Sequence, residues 1–406
     1  MKEIWLICKY ASPEIYGGGS RHFFLSEEWI KHDFTVTVFT SNSNHLNNSL
    51  PSLQEKYDLN YYNGVLSVMF NCVRSKKSFS VWRVISWIQF EFRLFMFDKR
   101  KLKPPDIVLV SSLSLLSIIT GLFYAWYYKA NFVLEIRDIW PLTLIEVGKL
   151  KKYNPFIQLL ASIEKLGYKK ADIIVGTMPN LGEHVASVLG HRKPVYCIPQ
   201  GITLKSYLEL SKPSASVLNL GLLDSFKIVY TGTLNLNNPI DELLEALDDT
   251  FLEKYNIEII IVGAGDRLNL LSNRYKSTRI HFLGYFPKQD IKNILAIANL
   301  AYDCIIPGVG RYGMSRYKWI DYMCAGLPIL CSFTGFPSIL NEAHCGFFVE
   351  YGCHSLLRSK ILEVLLLPKG DLKRIGLNGR DFIFKQRLFS KLACDYIHLF
   401  NDLKTR

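Results

Sequence analysis

Short apolar runs alternate with helical stretches along the first half of the chain, and the alternation restarts in the second half. Strands that are apolar along their whole length need cover on both faces, which is typical of parallel sheets flanked by helices. In the first half the predicted strands are Ile4–Cys8, Thr35–Phe39, Asp106–Val110, Phe132–Ile136, Asp172–Val175 and Val195–Ile198. In the second half they are Lys227–Tyr230, Glu258–Val262, Ile280–Leu283, Leu300–Cys304 and Pro328–Cys331. Helices are predicted at Arg21–Lys31, Leu113–Tyr128, Pro155–Lys170, Pro239–Leu247 and Arg316–Cys324. The sequence therefore predicts an α/β fold of two Rossmann-like, doubly wound domains facing a shared cleft.

The length of 406 residues is too great for one ordinary hydrophobic core and agrees with two domains. A polar stretch, Thr203–Pro213, follows the last predicted strand of the first half and marks a boundary. The final stretch, Asp381–Leu403, has a helical pattern. The predicted domains are residues 1–200, onto which a C-terminal helix (385–406) packs back, and residues 201–384.

Composition narrows the class of protein. Hydrophobic residues make up 49% and charged residues 21%, which excludes a mainly disordered chain. The net charge of +12 suits an anionic partner, such as a phosphorylated ligand or an acidic lipid surface. The nine cysteines are an odd number without a CxxC pair, so we expect neither a disulfide framework nor a zinc site. No cofactor is expected. Met1–Phe39 has a strand–turn–helix–strand pattern rather than a signal peptide, which predicts a cytoplasmic protein.

One uncharged segment, Ile107–Tyr128, is long enough to span a bilayer. The polar pair Ser111-Ser112 interrupts it, and another predicted strand, Phe132–Ile136, follows. These signals favour a β-strand followed by a buried helix over a membrane span.

Two segments of the first half have the composition of ligand sites. The glycines Gly17, Gly18 and Gly19 follow the first strand and open a helix, where backbone N–H groups can approach a phosphate or sugar. Arg21 lies in the first turn of that helix. Arg137 and Asp138 end a buried strand, the position at which such folds bind ligands. The alternatives are an ordinary loop for the glycines and a structural ion pair for Arg137 and Asp138, mutual or with a nearby glutamate.

In the second half, two strands end in turns of small residues that can take a diphosphate. They contain Thr231, Gly232 and Thr233 in the first turn, and Gly263 and Gly265 in the second. The densest segment is Gly313–Ile329, which places Arg316, Lys318 and Asp321 early in a predicted helix. The cations suit a nucleotide diphosphate and the carboxylate suits ribose hydroxyls, although a solvated charged face is the alternative.

Gly313–Leu330 resembles the signature helix of family 4 glycosyltransferases, which are retaining enzymes of the GT-B fold. Other similar segments occur in the family's order, namely Gly17–Gly19, Ile198–Gly201, Tyr230–Thr233, Ile261–Gly265 and His281–Tyr285. The resemblance implies that the N-terminal domain takes the acceptor and the C-terminal domain takes the nucleotide-sugar. The implied donor-binding residues are Thr231, Gly232, Thr233, Gly263, Gly265, Tyr285, Met314, Ser315, Arg316 and Asp321. The implied acceptor-binding residues are Gly17, Gly18, Gly19, Arg21 and Arg137, and the implied catalytic residues are Asp138 and Lys318.

Two positions depart from the family pattern. Gly313 stands where relatives carry the first of two glutamates, and Asp321 stands where they carry the second. Thr233 and Asn238 lie where many relatives place an Arg and a Lys, so Arg316 and Lys318 are the candidates to replace that charge. No DxD motif lies in a suitable loop, which favours a metal-independent site.

The segments Ser315–Met323 and Glu135–Pro141 resemble a subgroup that builds bacterial surface polysaccharide, either O-antigen or capsule. The expected reaction moves a sugar from a UDP-sugar to a lipid-diphosphate-linked saccharide acceptor. A GT-B sugar-nucleotide epimerase and a non-catalytic, membrane-docked scaffold of the same fold are the alternatives.

Arg74–Lys103 carries nine Lys or Arg residues, two acidic residues and seven Trp or Phe residues. Cations beside aromatic residues are typical of interfacial membrane contacts. We therefore expect peripheral binding to the anionic inner face of the plasma membrane, with a solvated basic face as the alternative. No nucleic-acid-binding motif accompanies the charge, so no nucleic-acid partner is expected.

Overall fold

The computed structural model describes residues 1–17, 20–44, 47, 49–74, 81–112, 114–146, 148–209, 224–236, 238–333 and 338–403. The chain divides into two compact units. Unit 1 comprises Met1–Gly201 and Phe389–Arg406, and unit 2 comprises Ile202–Leu388.

Unit 1 is built on a sheet of eight strands in the order β3-β4-β2-β1-β5-β6-β7-β8. The strands are β1 (Lys2–Ile7), β2 (Phe34–Ser41), β3 (Tyr57–Tyr62), β4 (Val65–Phe70), β5 (Ile107–Ser111), β6 (Asn131–Ile136), β7 (Ile173–Gly176) and β8 (Val195–Cys197). All neighbours pair in parallel except β3 and β4, which form an antiparallel hairpin. The chain leaves β1 toward β2 on one side and returns to β5 on the other, so β1 and β5 flank a topological switch point.

The helices of unit 1 cover this sheet. They are α1 (Arg21–Ile30), α2 (Val81–Met96), α3 (Leu116–Tyr127), α4 (Leu142–Glu146), α5 (Pro155–Lys170), α6 (Leu181–Leu189) and, after unit 2, α16 (Phe389–Asn401). Helix α16 packs on α1, where the ring of Trp29 lies 5.3 Å from that of Tyr396 and 5.4 Å from that of Phe400. This aromatic contact attaches the end of the chain to unit 1.

Unit 2 has a wholly parallel sheet in the order β11-β10-β9-β12-β13-β14. Its strands are β9 (Phe226–Thr231), β10 (Ile257–Val262), β11 (Ile280–Gly284), β12 (Leu300–Ile305), β13 (Ile329–Phe333) and β14 (Gly346–Val349). Its helices are α7 (Leu204–Leu208), α8 (Asp241–Ala246), α9 (Asp249–Lys254), α10 (Leu268–Arg274), α11 (Lys288–Leu295), α12 (Tyr317–Cys324), α13 (Ile339–Glu342), α14 (His354–Leu366) and α15 (Lys369–Gln386). The switch point of this doubly wound sheet lies between β9 and β12.

The predicted α/β fold with two parallel-dominated sheets is confirmed, and the predicted strands coincide with observed strands to within two residues at either end. Three strands were not predicted. Strand β3 is a polar edge strand. The two-residue turn Asn63-Gly64, with positive φ at both residues (48° and 85°), connects it to its hairpin partner β4, the second strand that was not predicted. The third, β14, is a four-residue edge strand.

The predicted C-terminal helix 385–406 is wrong at its start. Residues 385 and 386 belong to α15 of unit 2, and α16 begins only at Phe389. Between the two helices, Leu388 forms a parallel β-bridge with Ile202, which takes the backbone out of helical conformation.

The uncharged segment Ile107–Tyr128 forms β5 and α3, as its polar break predicts. Over the described residues, none of the helices combines the length and apolar character that crossing a bilayer requires.

Candidate functional site

The carboxyl ends of β9 and β12 meet at the switch point of unit 2, and α12 lies against them. The hydroxyl of Tyr322, on α12, accepts a hydrogen bond from the Thr231 N–H (2.7 Å) and lies 3.1 Å from the Thr231 hydroxyl. Tyr322 is fully buried, so this contact fixes α12 against the end of β9.

Asp303, near the end of β12, is the central carboxylate of this region, and its side chain is fully buried. Arg316 Nη1 donates to both of its oxygens (2.8 Å each), and Lys318 Nζ donates to Oδ1 (3.1 Å). The Trp319 indole N–H donates to Oδ2 (2.8 Å). One buried carboxylate therefore positions two cations at the start of α12.

The titration of this cluster reflects competition between burial and charge. Burial favours a neutral Asp303, but Arg316 and Lys318 outweigh it and lower the pKa of the carboxyl group. For Lys318, burial outweighs Asp303, and the pKa of the ammonium is lowered. The cluster carries two cations against one carboxylate, so a buried positive charge is available to an anionic ligand.

Both cations lie against the turn that follows β9. The Lys318 ammonium is 4.2 Å from the centre of the Tyr230 ring, and a Cβ added to Gly232 would lie 2.9 Å from Lys318 Nζ. Arg316 Nη2 donates to Asn238 Oδ1 (3.1 Å). The guanidinium therefore reaches a loop position at which the resemblance to family 4 implies a basic residue.

The turns after β9 and β10 pack directly on each other. Gly232 N–H donates to the Val262 carbonyl (2.9 Å), and Gly263 N–H donates to the Gly284 carbonyl (2.8 Å). A Cβ at Gly263 would lie 1.8 Å from the Gly232 oxygen, and one at Gly265 would lie 2.1 Å from the Leu234 oxygen. Gly232 and Gly263 therefore cannot offer free backbone N–H groups to a diphosphate, because hydrogen bonds at the sheet edge use both.

Asp321 lies one turn further along α12. With Ser206, Tyr207 and Lys292 it lines a cavity of about 20 Å³ formed by α7, α11 and α12. That volume holds a water molecule but not a ribose, so a ribose bound by Asp321 has to lie outside it.

The remaining donor residues differ in exposure. Tyr285 is 75% exposed and Thr233 is exposed, whereas Met314 and Ser315 are half-buried. Gly313 adopts a φ of 87°, in the left-handed region that glycine favours. A glutamate, which the resemblance to family 4 implies at this position, would be strained in that conformation. No group of three or more His, Cys, Asp or Glu residues suited to a metal occurs within the described parts of the chain.

In unit 1, a second buried carboxylate, Glu135 on β6, lies beside the switch point between β1 and β5. It accepts from Arg21 Nε (3.1 Å) and from the Tyr396 hydroxyl (2.8 Å), and it lies 2.7 Å from His22 Nε2. Burial raises the pKa of Glu135, but His22 and Arg21 outweigh it and hold that pKa well below its usual range. Burial lowers the pKa of His22, but Cys8 and Glu135 outweigh it and the net pKa is raised.

The structure corrects the role expected of Arg21. Its side chain is 1% exposed, and the guanidinium also donates to the carbonyls of Ile198 and Pro199. Arg21 therefore joins α1 to β6 and to the end of β8 and does not face an acceptor. Gly17 is held by hydrogen bonds from Ser12 and Asn47 to its carbonyl, and Gly18 and Gly19 lie outside the described residues.

Asp138 is held in place by its own loop. Its two carboxylate oxygens accept from the Trp140 indole and the Thr143 hydroxyl, each at 2.7 Å. The adjacent Arg137 has a buried Nε atom with no hydrogen-bond partner among the described residues. The geometry thus suits Asp138 to orienting a neighbour rather than to accepting a proton.

One part of the chain matches a known protein family. Residues 225–366 match the family described as Glycosyl transferases group 1. No curated protein matches the chain by sequence.

Solved structures match over nearly the whole chain. A sucrose-phosphate synthase from Thermosynechococcus elongatus has 16% identity and a TM-score of 0.73, and the alignment covers 99% of this chain and 98% of that one. Anabaena Alr3699/HepE in complex with UDP-glucose has 13% identity and a TM-score of 0.65, with 99% and 100% covered. An alpha,alpha-trehalose-phosphate synthase (UDP-forming) from Burkholderia vietnamiensis has 10% identity and a TM-score of 0.73, with 99% and 97% covered. These likenesses show a GT-B fold, and with the family match they support a GT-B glycosyltransferase.

Within the glycosyltransferase group 1 segment, sequence reasoning found Arg316 and Lys318 but missed Asp303, which holds them. The available signal was a single carboxylate inside an apolar strand, Leu300–Ile305, where a buried charge requires a partner.

In unit 1, three polar residues were not predicted as site residues. They are Ser111, at the end of β5, and Ser112 and Ser114, which follow it. The hydroxyls of Ser111, Ser112 and Ser114 are buried, and they have no hydrogen-bond partner in the part of the chain that the structure describes. Ser112 N–H donates to the Glu135 carbonyl, which places this polar group beside the end of β6 and Arg137.

Proposed function

We propose that the protein is a retaining glycosyltransferase of family 4, which transfers a sugar from a UDP-sugar to a lipid-diphosphate-linked acceptor in bacterial surface polysaccharide biosynthesis. The observation that carries the proposal is the pair of cations, Arg316 and Lys318, held by buried Asp303 at the switch point of unit 2. A UDP-sugar is the proposed donor because structural neighbours are described as bound to UDP-glucose or as UDP-forming.

In the proposed reaction, the bond between the sugar's anomeric carbon and the diphosphate oxygen breaks, and a bond to an acceptor hydroxyl oxygen forms on the same face. Negative charge grows on the departing diphosphate, where Lys318 and Arg316 stabilise it. The acceptor proton passes to a diphosphate oxygen, so no separate protein base is required. Thr231, Gly232, Thr233, Gly263 and Gly265 shape the floor of this donor site, and Met314, Ser315, Tyr285 and Asp321 complete it.

On the acceptor side, Asp138 is proposed to orient the attacking hydroxyl, and Arg137 and Gly17 are proposed to bind the acceptor. The buried hydroxyls of Ser111, Ser112 and Ser114 support a polar, hydroxyl-rich acceptor, because buried polar atoms are normally hydrogen-bonded. A lipid-linked acceptor also implies that the protein works at the cytoplasmic face of the membrane.

The glycine at position 313 favours a second candidate, a non-catalytic scaffold with the same fold. Relatives contact the donor sugar with a glutamate side chain at this position, and its loss removes one contact expected of an active enzyme.

A ligand screen separates the two candidates. The purified chain is melted alone and with UDP-, GDP- and ADP-sugars, and each stabilising donor is then incubated with a lipid-diphosphate saccharide extract. A donor at 100 times its dissociation constant should add about 2.7 kcal/mol of stability. We expect a shift with a UDP-sugar and a glycosylated lipid product. Stabilisation without turnover would favour the scaffold, and no stabilisation by any donor would refute both the donor site and the proposed reaction.

A further inference from the structure

Helix α2 of unit 1 is apolar on the face that it turns to solvent as well as on the face that it buries. Its inner face packs Trp87, Phe90 and Leu94 against the unit. The large exposed side chains of its outer face recur at helical spacing and are Val81, Trp82, Ile85, Ile88, Phe92, Phe95 and Met96. A helix that is apolar all round is normally covered on every side.

Helix α3, which the sequence predicts to be buried, has a second apolar outer face. Its exposed side chains are Ile119, Phe123, Trp126 and Tyr127, and Trp126 is 74% exposed. The ring of Phe123 lies 5.4 Å from that of Phe95 on α2, so the two outer faces meet. We refer to these eleven exposed side chains of α2 and α3 as the apolar face.

Polar contacts beneath the apolar face hold the two helices together. The hydroxyls of Ser117 and Thr120, on α3, donate to the Glu91 carboxylate of α2 (2.5 and 2.7 Å). The Tyr124 hydroxyl donates to the Leu94 carbonyl (3.0 Å). The face is thus carried by a fixed helix pair rather than by a loop.

A basic turn adjoins the apolar face. Residues Lys99–Lys101 follow the end of α2 after two residues, and the Lys99 ammonium lies 4.9 Å from the ring centre of Tyr124 on α3. The Arg100 side chain is 91% exposed, and Lys101 and Lys103 are also exposed. Apolar and aromatic side chains beside exposed cations match the boundary of an anionic bilayer, where the former enter the acyl region and the latter meet phosphate headgroups. A second copy of this chain fits the apolar face less well, because a contact between two such faces would bring two positively charged turns together.

We propose that the apolar face of α2 and α3 inserts into the interfacial layer of an anionic bilayer. The inference rests on the proposed function, in which the acceptor is lipid-linked. Insertion of the apolar face differs from electrostatic binding to the bilayer surface, because insertion requires the side chains of Trp126 and Phe92 to leave water.

The chain contains its own reporters of insertion. Of its seven tryptophans, Trp82 and Trp126 are exposed on the apolar face, whereas the other five are buried. The full-length protein is mixed with phosphatidylglycerol-containing vesicles whose acyl chains carry bromine. We expect the tryptophan emission to shift to shorter wavelength and to be quenched by bromine. A variant with Trp82→Phe and Trp126→Phe should bind similarly without the shift or the quenching.

Substitutions test the binding itself by co-sedimentation. Phe92→Ser with Trp126→Ser should weaken vesicle binding by at least tenfold, because each removes a large apolar side chain from the contact. The matched control is Leu366→Ser, which alters an 85% exposed side chain of α14 in unit 2 and should bind like the native chain. Thermal stabilisation by the UDP-sugar, measured on the same variants, should be unchanged.

Three outcomes would overturn the proposal. They are unchanged vesicle binding by the variant with Phe92→Ser and Trp126→Ser, vesicle binding by the native chain without quenching of its tryptophan emission, and a dimer in vesicle-free solution that the same two substitutions dissociate. Vesicle insertion without donor binding or transfer would leave the bilayer contact standing and would refute the proposed function alone.

Discussion

Replacing Asp303 by Asn tests whether one buried carboxylate holds the two cations of the donor site. The substitution keeps the size of the side chain and leaves Trp319 an oxygen to donate to. It removes the negative charge that lies between Arg316 and Lys318, with nitrogen–oxygen distances of 2.8 and 3.1 Å.

The expected cost follows from the burial of all three groups. Asp303 is fully buried, and the side chains of Arg316 and Lys318 are 17% and 13% exposed. Removing one partner of a buried ion pair typically costs about 3–5 kcal/mol, because the remaining charge is uncompensated. Burial already lowers the pKa of Lys318, so its ammonium can lose a proton and limit the loss. We therefore expect unit 2 to lose about 3 kcal/mol of unfolding free energy at neutral pH.

Urea unfolding followed by tryptophan fluorescence and circular dichroism measures this loss, and Trp319 is the single tryptophan in the sequence of unit 2. The matched control is Asp266→Asn, which removes an exposed carboxylate of the same unit and should change stability by less than about 0.5 kcal/mol. Adding Lys318→Met to Asp303→Asn should recover about 1 kcal/mol, because it removes one uncompensated cation.

A loss below about 1 kcal/mol for Asp303→Asn, or no recovery in the double variant, would refute the reasoning. Either result would mean that solvent, rather than Asp303, compensates the two cations.

Three further predictions concern single side chains. If Asp321 binds the ribose, Asp321→Asn should weaken donor binding, measured by calorimetry, by roughly 1.5–3 kcal/mol. The melting temperature of the free protein should not fall, and an unchanged donor affinity would show that Asp321 is not part of the site. If Lys318 stabilises the leaving diphosphate, Lys318→Ala should lower kcat more than it raises the donor KM, whereas the reverse pattern would indicate a binding role only. Burial raises the pKa of Glu91 from 4.5 to about 7. Between pH 4.5 and about 7, Glu91 is therefore protonated in the folded state and ionised in the unfolded state. As the pH rises through this range, the free energy of unfolding should fall by up to about 3 kcal/mol. In Glu91→Gln this fall should be absent, and an identical pH profile for both chains would contradict the assignment.

The local pattern of the chain was sufficient for most elements. Helix α5 was predicted to the residue. The structure shows why its start is well defined, because Asn154 accepts from Phe156 N–H as an N-cap and Pro155 occupies the first helical position. Strands such as β5 and β10 were recognised because they are apolar on both faces, as a covered parallel sheet requires. The order of such elements predicted the doubly wound sheets.

The contents of the donor site were only partly predictable. Arg316 and Lys318 were found because they share the start of a recognisable helix, and the structure places both beside the turn after β9. Asp303 was missed because its partners come from α12, beyond an intervening turn, and no local spacing relates a strand carboxylate to a later helix.

The surroundings of a side chain were decided by the tertiary structure. Arg21 occupies the first turn of a helix after a glycine-rich segment, which predicts a ligand contact, but Glu135 from a distant strand buries it. Conversely, the uncharged α3 was predicted to be buried, yet Trp126 and Tyr127 lie on an outer face. Periodicity determines which residues share a face of a helix or strand. What covers that face depends on segments distant in sequence, because burial is a property of the packed chain rather than of the element.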